Sequence, residues 1–256
     1  MTVARHELHF ADAGEAADLA AFLARLIHYD RAAAVRLQAG AGVLAVFGRP
    51  PSFEVLAIRT ARVEATVMGG GEGTPDTTVS AGEFADALDT ALAARTTAGQ
   101  EPLVVPVPDA VTGPPWAGVL PPRGGWRRIE GLPGADEVRA AVSAAVAEFR
   151  ARDEALPEER RTRAERDRIG REIWSRTLGS TGLPLRAVHA AQSLGFLRPA
   201  RAAAGVGAGH TGGAAQEPVA EPLALLSAGG WLRLRTPYGS VAVRTSGLPG
   251  LTVSPA

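Results

Sequence analysis

Ala33-Ala34-Val35-Arg36-Leu37-Gln38, then Gly40-Ala41-Gly42, then Val43-Leu44-Ala45-Val46-Phe47, is the stretch whose reading decides the fold. Val35 and Leu37 alternate with polar neighbours, the period of a half-buried strand. Gly40 to Gly42 is a tight connection, and Val43 to Phe47 is a second strand. Gly48-Arg49-Pro50-Pro51-Ser52 then turns the chain, and Phe53 to Val63 is the longest strand run. Strands joined by links this short pair antiparallel, because a parallel pair needs a long crossover. The stretch therefore predicts an antiparallel meander.

Working outward, Val3 to Phe10 predicts a strand that precedes the meander. A helix follows it, with Asp12 as N-cap, Glu15 in the first turn and Leu19, Phe22, Leu23 and Leu26 forming its apolar stripe. After the meander, Gly69 to Pro75 reads as a flexible loop and Thr77 to Ser80 as a short strand. Ser80 and Glu83 form a capping box ahead of Phe84, Leu88 and Leu92. Leu103 to Val107 is a further strand. Pro106 to Pro133 is rich in proline and glycine, yet it carries Trp116 and Trp126. Those rings predict an ordered connector, since an unstructured linker lacks the aromatics that build a packed cluster.

The next part is helical. Ala135 to Arg152 places Val138, Val142, Val146 and Phe149 on one face. A second helix is expected from Pro157, a good first helical residue, to about Leu178. Gly179-Ser180-Thr181-Gly182 breaks it, and a third helix is expected over Leu183 to Leu197. Pro199 to Pro222 is dominated by alanine and glycine and reads as a flexible tether. Leu223 to Leu226 then leads into Trp231 to Thr236, the turn Pro237-Tyr238-Gly239, and Ser240 to Thr245, a half-buried hairpin. The expected fold class is α+β: an N-terminal antiparallel sheet with two helices, then a helical segment closed by a C-terminal β-hairpin. The expected division is 1–108, a connector over 109–133, and 134–256.

Composition restricts the chemistry. The 256 residues hold 46% hydrophobic and 21% charged residues, and formal net charge is zero. That balance gives no whole-molecule attraction to nucleic acid or anionic lipid. No apolar run is long enough to span a bilayer as a helix, so no membrane partner is expected. The start of the sequence lacks the pattern of a secretory signal, which predicts a cytoplasmic location. The sequence contains no cysteine, lysine or asparagine. Thiol nucleophiles, disulfides and thiolate metal sites are excluded, as are Schiff-base lysines, the P-loop lysine, the protein-kinase residue set and N-glycosylation. All 27 basic residues other than histidine are arginine, which fits a GC-rich codon usage as well as any selection for arginine chemistry.

Candidate motifs have plain structural readings beside them. Gly207-Ala208-Gly209-His210-Thr211-Gly212 matches a dinucleotide fingerprint, but no strand precedes it and no helix follows, so it reads as tether. His6 and His9 fall on opposite faces of a strand and do not converge on one ion. Glu83, Asp86 and Asp89 read as a solvated helix face. Gly179 to Gly182 lacks the first glycine of a serine nucleophile elbow. The arginines at 160, 161, 163, 166, 168 and 171 are interleaved with Glu158, Glu159, Glu165, Asp167 and Glu172, the pattern of an exposed, ion-paired helix. No cofactor is implied.

Two arginine–aromatic regions remain. The connector carries Trp116, Arg123, Trp126, Arg127 and Arg128. The hairpin carries Arg233, Arg235 and Arg244 on one expected face, with Tyr238 at its tip. Helices followed by an arginine-bearing hairpin match the order of a winged helix-turn-helix, with Leu183 to Leu197 as the recognition helix. Its polar readers would be Arg186, His189, Gln192 and Ser193.

Three stretches carry a resemblance: Val46 to Leu56, Pro114 to Trp126, and Trp231 to Val243. They resemble a group of actinobacterial conserved hypothetical proteins, which implies no activity. Separately, the order of elements in residues 3–95 resembles one repeat of a DNA sliding clamp, although the helical segment takes the place of the next repeat. The failure of each catalytic motif points to a non-enzymatic interaction or scaffold protein that binds a protein partner or a second copy of itself. An accessory DNA-binding protein is the alternative. An enzyme acting on a small molecule in a Trp/Arg-lined cleft is the second alternative.

Overall fold

Alternating apolar residues from both ends of the chain meet in one large sheet. The structure is a computed structural model that describes residues 6–64, 66–67, 76–95, 103–199 and 223–245. The elements in chain order are β1 (Glu7–Phe10), α1 (Ala13–Tyr29), β2 (Ala34–Gly40), β3 (Val43–Gly48), β4 (Leu56–Arg62), β5 (Thr66–Val67), β6 (Asp76–Ser80), α2 (Ala81–Arg95), β7 (Leu103–Pro106), β8 (Arg127–Ile129), α3 (Ala135–Glu154), α4 (Arg163–Ser175), α5 (Leu185–Ser193), β9 (Ala224–Ala228), β10 (Trp231–Thr236) and β11 (Gly239–Arg244). The protein is α+β, as its sequence predicts.

The large sheet has eight strands in the order β6-β2-β3-β4-β11-β10-β9-β8, and a small sheet has the order β5-β1-β7. All the pairings are antiparallel. The meander β2-β3-β4 forms as expected, with Val35 opposite Gly48 and Phe47 opposite Ile58. The hairpin β10-β11 attaches directly to it. Ala242 lies opposite Leu56, Val241 opposite Ala57 and Ser240 opposite Ile58. The hairpin therefore extends the N-terminal sheet as well as closing the helical segment.

The inner face of the large sheet carries Val35, Leu37, Leu44, Val46, Val79, Leu225, Leu232, Leu234, Val241 and Val243. They share one core with Phe22 and Leu26 of α1, Phe84 and Leu88 of α2, Val138 and Val142 of α3, and Val188 of α5. Leu8, Phe10, Leu103 and Val105 of the small sheet join the same core. A second apolar cluster holds α3 to α4 through Ala145, Ile169 and Ile173.

Asp12 caps α1 by accepting from the Gly14 amide at 2.7 Å, and the Ser80 hydroxyl accepts from the Glu83 amide at 3.4 Å at the start of α2. The helical part differs from expectation in detail. Pro157 opens a 3-10 turn over Glu158–Arg160, and α4 starts later. Thr162 is its true N-cap, accepting from the Glu165 amide at 3.3 Å. The cap, not the proline, sets the helix start because it satisfies an amide that the turn leaves open. The third helix is shorter than Leu183 to Leu197. It begins after Pro184 and ends before Gly195, whose φ is +76°.

The connector is expected to be ordered, with no element assigned within it. It contains β8, which pairs with β9 through Arg128 opposite Leu226. Three residues give too short a run for periodicity to register. The expected loop 69–75 and the dinucleotide-like 207–212 lie outside the described residues, as does nearly all of the expected tether.

Candidate functional site

The second face of the large sheet is where the two arginine–aromatic regions meet. Register assigns the residues. Arg36, Phe47, Ile58, Ser240 and Arg235 form one row across the sheet, and Leu56, Ala242, Arg233, Leu226 and Arg128 form another. Trp231 and Arg244 stand opposite each other in a third. Side chains two apart on a strand share a face, so Arg233 and Arg235 point the same way. The expectation that Arg233, Arg235 and Arg244 share a face is met by this register.

The connector crosses that face. Its 3-10 turn, Pro115–Gly118, is anchored by the Val111 amide, which donates to the Thr78 carbonyl at 2.8 Å. The Arg36 guanidinium donates to the Ala117 carbonyl and is clamped by Asp76 at 2.7 Å. Trp116, Leu120 and Trp126 pack on Phe47, Leu56, Ile58, Trp231 and Ala242. The Trp126 indole N–H donates to the Pro122 carbonyl at 2.9 Å, so its polar end is satisfied while its ring covers the sheet.

Among the described residues, three clefts lie on this side of the sheet. One of about 580 Å³ lies at the hairpin tip between Arg59, Thr60, Arg62, Arg233, Arg235, Tyr238 and Ser240. A second, about 530 Å³, lies between Gln38, Val43, Ala45, Pro122, Arg123 and Arg233. A third, about 370 Å³, is walled by Trp116, Val119 and Trp231, with Arg49 and Arg244 at its edge.

The electrostatics of these arginines differ. Arg62 is held by Glu15 at 2.8 Å. Arg59 is buried at the inner side of β4, donates to the Tyr238 carbonyl and pairs with Asp18 at 3.0 Å. Burial pushes its pKa down, and the Asp18 charge opposes that shift. Asp18 also pairs with Arg198 at 2.8 Å, and Arg198 lies 3.9 Å over the Tyr238 ring. Arg233 is half-buried. Its Nε donates to the Ser240 hydroxyl at 2.8 Å, and its guanidinium lies 5.7 Å from the Trp126 ring. No carboxylate among the described residues bonds to it. Burial pushes the Arg233 pKa down, and the charge of Arg235 pushes it the same way. Arg244 is exposed and lies 5.1 Å over the Trp231 ring.

The structure thus brings together Trp116, Arg123, Trp126, Arg128, Arg233, Arg235 and Arg244 on one side of the sheet. Arg127 is excluded, because adjacent strand residues point to opposite faces and Arg128 takes the outer one. Tyr238 sits at the tip with its ring against the core and its hydroxyl donating to the Pro199 carbonyl at 3.3 Å.

The expected recognition helix is packed along one side. Ala187, Val188, Ala190 and Ala191 of α5 are all completely buried. His189 stacks on Trp174 at 4.4 Å and meets the edge of Phe53 at 5.2 Å, while Arg186 lies 3.7 Å from Glu54. The helix packs against β11, α3 and α4, which turns Arg186 and His189 to protein neighbours and leaves Gln192 exposed.

Arg59 and Trp231 were missed as site residues. Arg59 sits in the run Ala57-Ile58-Arg59-Thr60-Ala61, where both faces carry small or apolar residues, so alternation gives no sign that its position is buried. Trp231 carried a usable signal, since it shares strand parity with Arg233 and Arg235.

Two family models divide the chain. One is described as a domain of unknown function (DUF8185) and matches residues 121–248. The chain belongs to the DUF8185 family. The second, also a domain of unknown function (DUF8010), matches residues 3–118. The DUF8185 region supplies β8 to β11, and the preceding region supplies β2, β3, β4 and β6 of the same sheet. The arginine-lined clefts are built from residues of both. No curated protein matches the sequence. Among solved structures, a DNA polymerase sliding clamp from Pseudomonas aeruginosa is similar at 11% identity and a TM-score of 0.43. That match covers 96% of this chain and 66% of the clamp chain, a little under two thirds of its length.

Proposed function

We propose that this is a non-enzymatic, intracellular interaction protein that binds an acidic protein partner on the outer face of its large sheet. The observation that carries this reading is the gathering of Trp116, Trp126 and Trp231 with Arg128, Arg233, Arg235 and Arg244 on one side of the sheet. Tryptophan and arginine dominate the energetics of protein interfaces: each offers a large contact area, and arginine adds directional hydrogen bonds. Among the described residues, helices pack on the inner face, while the connector packs on the outer face through Trp116, Leu120 and Trp126.

The test is affinity capture with the wild-type chain and with an Arg128→Glu/Arg244→Glu variant, at low and high salt. A partner retained by wild type, lost by the variant and released by salt supports the reading. Absence of any such partner, together with turnover in a substrate screen, would replace it with an enzyme.

Accessory DNA binding remains the second reading, now supported by the arginines of this face alone. It predicts a gel shift at low salt that is lost when Arg233, Arg235 and Arg244 are substituted. No shift, or one indifferent to those substitutions, removes it.

A further inference from the structure

Arg233 is the common wall of two clefts. The cleft at the hairpin tip and the one beside Arg123 both include Val43, Ile58, Thr60 and Arg233. They form one groove across the ends of β3, β4 and β10. Its floor is apolar, made by Ile58, Val43 and Ala45, and Arg235, Arg233 and Arg123 stand along it.

The groove contains a half-buried cation that the described residues do not neutralise. Glu15, the carboxylate that the described lining of the groove includes, is engaged by Arg62. Among the described residues, the Arg233 guanidinium is met by the Ser240 hydroxyl and the Trp126 ring. Placing a cation there costs desolvation without a matching ion pair, a cost expected at a site that is completed by a ligand.

We infer that this groove holds an extended segment of the partner protein in which carboxylates and apolar side chains alternate along one side. The inference rests on the proposed interaction function and names the chemistry of the partner. Alternation places every second side chain of an extended chain on one side, about 7 Å apart. Apolar side chains on the groove side then settle on Ile58 and Val43, and carboxylates two positions away on that same side reach the arginines. Carboxylate–guanidinium pairs formed in such a partly dry site are charge-assisted and can be bidentate.

The test is selection of a displayed random peptide library against the full chain, followed by solution binding of the enriched peptides. Enriched peptides should carry acidic and apolar residues two positions apart. Their affinity should fall at least about thirtyfold on Arg233→Gln, the usual scale for removing one partner of a desolvated charge pair. The same variant should unfold at or above the wild-type temperature, because a half-buried cation has been removed. A fall of more than about 4 °C would assign Arg233 a structural role and overturn the inference. Enriched peptides without acids, no enrichment at all, or tighter binding of a random single-stranded DNA at equal salt would also overturn it. Peptides that ignore Arg233→Gln but are lost on Arg244→Glu would remove the groove while leaving the outer face as the interaction surface.

Discussion

The inner face of the large sheet turns Val35, Leu44, Leu234 and Val241 toward helices, and each is completely buried. The outer face of the same strands turns Ile58, Arg233, Arg235 and Ala242 toward open clefts and a proline-rich connector that packs on it through Trp116, Leu120 and Trp126. Period-two alternation lets one set of strands serve both purposes. The inner residues contribute through dense packing, and the outer ones combine partial burial with charge. One side of the sheet is therefore core, and the other carries its arginines beside clefts.

The largest effect should come from the inner side. Phe22 is almost fully buried and stacks on Phe196 with ring centroids 5.6 Å apart. Phe22→Ala should cost about 3–5 kcal/mol in denaturant unfolding, the usual range for deleting a buried ring. A loss below that of an outer-face variant would break the comparison.

Gly239 tests how tightly the hairpin seats on that core. An added Cβ would lie 2.6 Å from Phe196 Cε1, and the residue has φ of +148°. Gly239→Ala should destabilise by about 1–3 kcal/mol through overpacking and backbone strain, read as a lower unfolding midpoint. A neutral result would show that the hairpin tip shifts freely.

Trp126 is the matching probe of the outer side. It is half-buried over Ile58 and Ala242, so Trp126→Ala should cost about 1–2 kcal/mol, less than Phe22→Ala. Equal losses would mean that the connector is a full second core.

His189 sharpens the inner side by pH. Burial holds its pKa below the usual 6.5. The unfolded chain takes up the proton first as pH falls, so the contribution is fully present above about 6.5 and is lost below it, toward the depressed folded value. Thermal melts between about pH 7 and about pH 5 should show this loss, and His189→Phe should flatten that part of the profile. An unchanged profile would place the acid sensitivity elsewhere.

The smallest effect belongs to the exposed network on α3 and α4. Arg152 donates to Glu172 at 2.7 Å and Arg176 to Glu148 at 2.6 Å. The hydrogen bond from Arg152 draws the Glu172 pKa down to about 2. Glu172→Gln should lower the melting temperature only slightly, and the difference should vanish near 1 M salt, at which the Debye length is about 3 Å.

Much of the fold was legible because its signals are local. The β2-β3-β4 meander came from alternation and tight turns, α1 from Asp12 and its apolar stripe, and α2 from Ser80 and Glu83. The errors arose where a local signal had a competitor. Pro157 fits a helix start, but Thr162 supplies the cap; the three residues of β8 are too few to show a period. At the candidate site, shared parity made the hairpin arginines legible as a set. The contribution of Ile58, Val43 and Thr60 to the same groove was not, because nothing in either segment records which strand it will pair with.

By itself the sequence determined the α+β class, most element positions and the exclusion of lysine, cysteine and asparagine chemistry. Those follow from residue type and short-range periodicity, which act within a few residues. Only the tertiary structure decided that β11 pairs with β4, that α5 is buried rather than presented, and that the connector's tryptophans cover the arginine-bearing face. These depend on contacts between segments far apart in the chain. Burial against a specific neighbour then sets whether an arginine is ion-paired, as Arg59 is with Asp18, or stands without a carboxylate among the described residues, as Arg233 does.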